Sequence, residues 1–235
     1  MTTTGALNLL VCLRAPPPQV EGDALGRADA LALAHAFALA GDRHTVTALL
    51  GGISVEEGPL RVALAAGADR AVRVAADDLT GADFHTIGQV LAIAIRRIGG
   101  DLVLTGVRSD DEGLGAAPAA IARHLGAPFI PCVEQIALAP GETRAVEVVT
   151  RGGGRLRRLR AKLPAVLSVA AGPAASATRR KRAGDAPAIE VIPLSDPEST
   201  VVRRRTELLG RLEPASRGVE TVTSAAALVA ALDRR

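Results

Sequence analysis

Short apolar runs alternate with amphipathic stretches through the first half of the chain. Residues 7–13 form the first run and read as a strand. Residues 27–40, rich in alanine and leucine, read as a helix closed by Gly41-Asp42. Residues 44–50 predict a second strand ending in Gly51-Gly52. A helix follows Gly58-Pro59, carries Leu60 and Leu64, and stops at Gly67, and residues 71–74 predict a short third strand. Residues 83–98 hold the cleanest helical period, with Ile87, Val90, Leu91, Ala94, Ile95 and Ile98 on one face. Gly99-Gly100 ends that helix.

Residues 101–126 organise the rest. Leu102-Val103-Leu104 is short enough for one buried parallel strand. The loop 106–115 holds three glycines and three acids, and the helix after it places Ile121 and Leu125 one turn apart. Pro118 fits the first turn, where a missing N–H costs nothing. Strand, glycine loop and helix start are how α/β proteins build a site at the carboxyl end of a sheet. Helix-start N–H groups favour an anion, usually a phosphate, and glycines let the backbone approach it closely. The three acids oppose a bare phosphate cradle unless they point away or pair with Arg108. The loop is neither GxGxxG nor a Walker A sequence. Alternating β and α with short links predicts a mainly parallel, doubly wound α/β sheet covered on both faces.

The second half changes character. Residues 134–138 and 143–150 predict strands around Pro140-Gly141, and Gly152-Gly153-Gly154 turns the chain into the basic stretch 155–162. This is an antiparallel hairpin excursion, about 134–162. Residues 163–169 return to the core as a buried strand. Residues 172–187 are small, polar and basic, and 189–192 form a short strand. Residues 196–217 show no clear period, and Ser224 caps a final helix to Leu232.

Composition narrows the class. The 235 residues are 48% hydrophobic, enough for one good core and an appendage, with no apolar run long enough to span a membrane and no basic leader. Cys12 and Cys132 are lone cysteines, and His35, His44, His85 and His124 show no metal spacing. Trp and Tyr are absent and Phe occurs three times, which argues against single-stranded nucleic-acid binding. The net charge of +3 hides clusters at Arg155, Arg157, Arg158 and Arg160, at Arg179-Arg180-Lys181-Arg182, and at Arg203-Arg204-Arg205. Such blocks are solvated faces or patches for an acidic partner or nucleic acid. No nucleophile–base pair stands out: Ser109 and Asp110 share the loop, but no histidine is placed by sequence to activate the serine.

The order of several pieces carries a family likeness. LLVCLR at 9–14, ALAAGADRAVRV at 63–74, DLVLTG at 101–106 with its acidic loop, KLPAVLSV at 162–169, IEVI at 189–192 and the closing GVETVTSAAALVAAL together resemble the beta subunit of electron transfer flavoproteins. The resemblance implies an adenine-nucleotide alpha-hydrolase-like fold over 1–192, a recognition loop at about 172–184, and a C-terminal arm, 193–235, reaching onto an alpha subunit. It implies a cytoplasmic bacterial heterodimer with no catalytic residues of its own, no nucleic-acid partner and no membrane insertion. The alpha subunit would hold most of an FAD, and this subunit an AMP or a second FAD. Electrons would pass from a flavoprotein dehydrogenase to a quinone reductase or another acceptor. An adenine-nucleotide-binding or docking scaffold without a redox role is the alternative.

Carried over by position, the nucleotide would meet Cys12, the loop Ala24-Leu25-Gly26-Arg27, and Gly51. On the fourth strand's loop it would meet Gly106, Val107, Arg108, Ser109, Asp110, Asp111, Gly113, Gly115, Ala116 and Ala117. Dehydrogenase docking would fall on Pro173, Thr178, Arg179, Arg180, Lys181 and Arg182. The chain departs from the family at Ala24-Leu25-Gly26, where Asn-Pro-aromatic is usual. It departs again at Gly115-Ala116-Ala117-Pro118, where the family has polar side chains on the phosphate. Losing two or three such hydrogen bonds, each about 0.5–1.5 kcal/mol net, weakens binding, while backbone N–H groups remain.

Overall fold

The computed structural model of the chain describes residues 5–14, 25–51, 57–75, 82–108, 113–170 and 187–194, together with positions 224 and 229. The elements run β1 (Asn8–Leu13), α1 (Arg27–Ala40), β2 (Thr45–Gly51), α2 (Gly58–Ala66), β3 (Arg70–Ala75), α3 (Phe84–Ile98), β4 (Leu102–Gly106), α4 (Ala117–Leu125), β5 (Phe129–Leu138), β6 (Ala145–Gly152), β7 (Arg155–Lys162), β8 (Ala165–Val169) and β9 (Ile189–Pro193). They form one nine-stranded sheet in the order β7-β6-β5-β8-β4-β1-β2-β3-β9. β1 pairs in parallel with both β2 and β4. The chain leaves β1 towards β2 and β3, then returns to its other side with β4, so the sheet is doubly wound.

Side chains alternate across each strand. β1 therefore sends Leu9, Val11 and Leu13 into one core and Leu10 and Cys12 into the other. Leu33 and Phe37 of α1 and Leu60 and Leu64 of α2 complete the first core. Val90, Leu91 and Ile95 of α3 and Ile121 of α4 complete the second. Each fully buried leucine contributes about 1.5–3 kcal/mol from burial alone.

The amino ends of the strands are tied by a repeated device. After α2 the chain turns at Gly67 (φ 114) and reaches Asp69, whose N–H donates to the Val46 carbonyl while its carboxylate accepts the Val46 N–H at 2.8 Å. After α3 it turns at Gly99 (φ 78) and reaches Asp101, which makes the same reciprocal pair with Asn8, also at 2.8 Å. Asp101 further accepts from Arg144 at 2.7 Å, which joins the parallel sheet to the hairpin. His44 is buried, and its Nδ1 accepts the Leu7 N–H at 3.1 Å. Burial, and then the neighbouring Arg43, push its pKa down, against an upward pull from Asp101.

The second half departs from the expected pattern in extent and connection. The strand expected at 134–138 begins at Phe129, because Phe129 and Ile130 first pair in parallel with Val166 and Leu167 of β8. The register shifts between Ile130 and Val133, and Cys132 adopts φ 53 there. The Thr150 hydroxyl donates to the Cys132 carbonyl at 3.0 Å, and the Cys132 N–H donates to the Ser168 hydroxyl at 3.3 Å. After this bulge the same strand pairs antiparallel with β6. The strand expected at 143–150 lies at 145–152, and that expected at 163–169 begins at Ala165. The hairpin is a continuation of the main sheet. Residues 172–184 and most of the expected arm and final helix lie outside the described residues.

Candidate functional site

The winding reverses between β1 and β4. Their last paired residues are Cys12 and Thr105. Beyond them one chain continues as Leu13-Arg14 and the other as Gly106-Val107-Arg108. The two following helices cover opposite faces, α1 on the first core and α4 on the second. In doubly wound sheets such a divergence commonly opens a crevice at the carboxyl ends of the strands.

Each wall has a local cause. A Cβ on Gly106 would lie 2.7 Å from Ala28 Cβ and 2.9 Å from Asp29 Oδ1, so only glycine lets the first turn of α1 rest on the end of β4. The Asp29 carboxylate accepts the Arg14 N–H at 2.8 Å, which fixes the end of β1 to the same turn. On the other wall Gly115 has φ 62, and a Cβ there would meet the Val107 carbonyl oxygen at 2.7 Å. That close approach sets Gly115 beside Val107, just before Ala116 and the start of α4.

The helix starts differ in chemistry. α3 is capped by Asp83, whose side chain accepts the Thr86 N–H at 2.8 Å. α2 has no side-chain cap, and neither do the two helices that flank the reversal, α1 with Gly26 at its cap position and α4 with Ala116. The first N–H groups of those two helices therefore carry the partial positive charge of an uncapped N-terminus. Arg27 and Arg108 are exposed beside them. Asp29 is the opposing charge.

The expected residues divide by place. Cys12, Gly26, Arg27, Gly106, Val107, Arg108, Gly115, Ala116 and Ala117 all lie on the strand ends and helix starts of this edge. Gly113 precedes them in the left-handed region at φ 63. Leu25 packs against the first core. Gly51 ends β2, but a Cβ there would lie 2.3 Å from Leu91 Cδ2, so its missing side chain makes room for α3. Ala24, Ser109, Asp110, Asp111 and the docking residues from Pro173 to Arg182 lie outside the described residues. The Cys12 thiol is buried, and burial, with Asp29 nearby, pushes its pKa up to about 12. It is an inert side chain. Asp29 and Arg14 were not singled out from sequence, although an acid in the first turn of a helix that follows Gly26 is a readable sign.

The fold is that of a doubly wound α/β protein whose strand order reverses between β1 and β4. The electron transfer flavoprotein domain model matches residues 19–197, and the chain belongs to that family. It is 34% identical over 131 residues to the electron transfer flavoprotein subunit beta of Methylophilus methylotrophus, covering 56% of this chain and 49% of that protein. It is 34% identical over 142 residues to the subunit of the same name from Mycobacterium tuberculosis (strain ATCC 25618 / H37Rv), covering 60% and 52%. It is also 34% identical over 148 residues to Protein FixA of Azorhizobium caulinodans, again covering 60% and 52%. The chain spans about half the length of the curated relatives it matches. Among the described residues no helix is long and apolar enough to cross a membrane.

Proposed function

We propose that this chain is the beta-type subunit of a heterodimeric electron transfer flavoprotein and carries an adenine nucleotide, AMP or FAD, at the β1–β4 crevice. What supports the reading is that α1 and α4, which follow β1 and β4 where the strand order reverses, both start without a side-chain cap in a chain of this family. The phosphate would be held by backbone N–H groups at the starts of α1 and α4, with Arg27 and Arg108 adding charge. This is a binding mode that needs no polar side chain at Gly115, Ala116 or Ala117. Asp29, tied to the Arg14 N–H, would orient the β1 end and disfavour anions off the helix axes.

The redox chemistry would be supplied by an FAD held mainly by an alpha-type subunit. The present chain's part is to bind, orient and dock. Residues 172–184 would meet a flavoprotein dehydrogenase, the arm 193–235 would lie on the alpha-type subunit, and a quinone reductase or another acceptor would take the electrons. The test is co-expression with an alpha-type subunit and anaerobic titration with a flavoprotein dehydrogenase and its substrate. Bleaching of the complex's flavin absorbance is expected. A complex that forms but whose flavin is never reduced by any such dehydrogenase contradicts the redox role and leaves a docking scaffold.

A further inference from the structure

Among the described residues, β7 (Arg155–Lys162) is the last strand on its side of the sheet. It pairs with β6 without a break, from Ala145 opposite Lys162 to Gly152 opposite Arg155. An antiparallel ladder on one side leaves every other residue's N–H and C=O aimed outward. The strand is eight residues long, and Ala161 is its one buried residue. It reads RLRRLRAK, with five cations and no acid. Leu156 and Leu159, on opposite faces, are 58% and 39% exposed.

Part of this charge is spent within the hairpin. Arg158 and Arg160 each approach Glu147 at 2.6 Å, and Arg160 approaches Glu142 at 2.7 Å. Hydrogen bonds from Arg160 and Arg158 hold the Glu147 carboxyl below the usual carboxylate range. No described carboxylate pairs with Arg155, Arg157 or Lys162. Cations on an edge strand commonly guard it against aggregation, but a guard has no use for two exposed leucines.

The candidate occupants can be separated by charge. A second copy of β7, laid antiparallel in any register centred on the strand, sets Arg opposite Arg or Lys, and like charges directly opposite are destabilising. Residues 171–186 carry four cations and one acid, and residues 195–235 carry seven cations and six acids, so neither supplies an acidic strand. We propose that the outer edge of β7 is a docking edge for an extended acidic segment of a partner polypeptide, which adds to the sheet as a further strand. Main-chain hydrogen bonds would give affinity, with acids beside Arg155 and Arg157 on one face and apolar residues beside Leu156 on the other.

The test uses the full chain and a fluorescent peptide of alternating glutamate and valine, followed by anisotropy and by hydrogen exchange. Binding is expected, with slowed exchange at residues 155–162. R155E/R157E, which leaves the Glu147 pairs intact, is expected to weaken binding at least about tenfold. A proline-interrupted peptide of equal charge is expected to bind at least about tenfold more weakly, since it cannot form the ladder. Leu156→Thr, a mild change on an exposed position, is the second variant should the charge reversal disturb folding, and a several-fold loss is expected. Absence of binding overturns the proposal. So does equal binding of the interrupted peptide, which would mean a plain charge patch, or tighter binding of duplex DNA, which would mean a nucleic-acid surface. No flavin or alpha-type subunit enters the assay, so its outcome is independent of the redox reading.

Discussion

Gly88→Ala is the sharpest test of how the second face is packed. In an exposed helix interior this change adds stability, about 1 kcal/mol, because alanine orders more cheaply than glycine. Gly88 is buried in α3, and a Cβ there would lie 2.4 Å from Ala120 Cβ and 3.0 Å from the Ala120 carbonyl carbon and the Ile121 nitrogen. Ordinary contact begins at 3.4 Å, so α3 and α4 must part by about 1 Å. Two of the three obstructing atoms are backbone and cannot swing aside, so the overpacking cost falls near the upper end of about 1–3 kcal/mol. The net expectation is destabilisation by about 1–2 kcal/mol, opposite in sign to propensity. Equilibrium urea unfolding followed by circular dichroism reads it. Ala120→Gly in the same chain removes the closest atom but leaves the two backbone contacts and itself costs about 1 kcal/mol of helix propensity, so the expected signature is a favourable coupling of about 1 kcal/mol in the double-mutant cycle and not recovery of the parent stability. Because Ala116 and Ala117 stand at the start of α4, the single variant is also expected to weaken the nucleotide binding proposed above. A G88A chain as stable as the parent, or a double-mutant cycle with no favourable coupling, would refute the close-approach argument.

Other expectations follow from single groups. His44 is buried with its Nδ1 accepting a backbone N–H, and its pKa is lowered. The neutral form is the one favoured by folding, so its contribution is fully present above the unfolded value of about 6.5 and is lost as pH falls through the lower folded value. Burial shifts His35 in the same direction. Urea midpoints should therefore fall between neutral and mildly acid pH, and His44→Asn, which keeps an acceptor, should flatten part of that slope. Asp101→Ala removes the acceptor for the Asn8 N–H and the partner of Arg144. A loss of about 1–3 kcal/mol in urea unfolding is expected, and a neutral result would deny the clamp a structural role. With its thiol pushed up to about 12, Cys12 should resist alkylation at mildly alkaline pH until the chain unfolds, as peptide mass mapping would show.

Much of the first half was legible because its elements are locally determined. α1 begins and ends where the alanine-leucine run and Gly41 place it. The periodic stretch from Ile87 to Ile98 is α3, with Asp83 as its cap. β4, the glycine loop and α4 appear in the expected order, and so do the glycines that end β2 and β4. What the sequence did not disclose is non-local. The placement of β8 between β4 and β5 depends on Val166 and Leu167 meeting Phe129 and Ile130, a pairing that no short-range period encodes. β5 pairs in parallel with β8 on one edge and antiparallel with β6 on the other, and the bulge at Cys132 is held by Thr150 and Ser168, residues remote from it in the chain. The Asp69 and Asp101 clamps left a trace in the repeated glycine-x-aspartate after two helices, but their function is visible only once β2 and β1 stand beside them. At the crevice, the glycines advertised a close approach without saying to what. Gly106 yields to α1, Gly115 to the Val107 carbonyl, and Gly51 to Leu91.

The central claim, a beta-type subunit with a nucleotide at the β1–β4 crevice, is tested most directly by what the complex holds. The co-expressed complex with an alpha-type subunit would be denatured, and the released nucleotides identified by mass and absorbance. Two adenine nucleotides per heterodimer are expected, one of them FAD and the other AMP or a second FAD. A complex that releases FAD alone, with no second adenine nucleotide, would contradict the claim that the helix starts at Gly26 and Ala116 hold a phosphate.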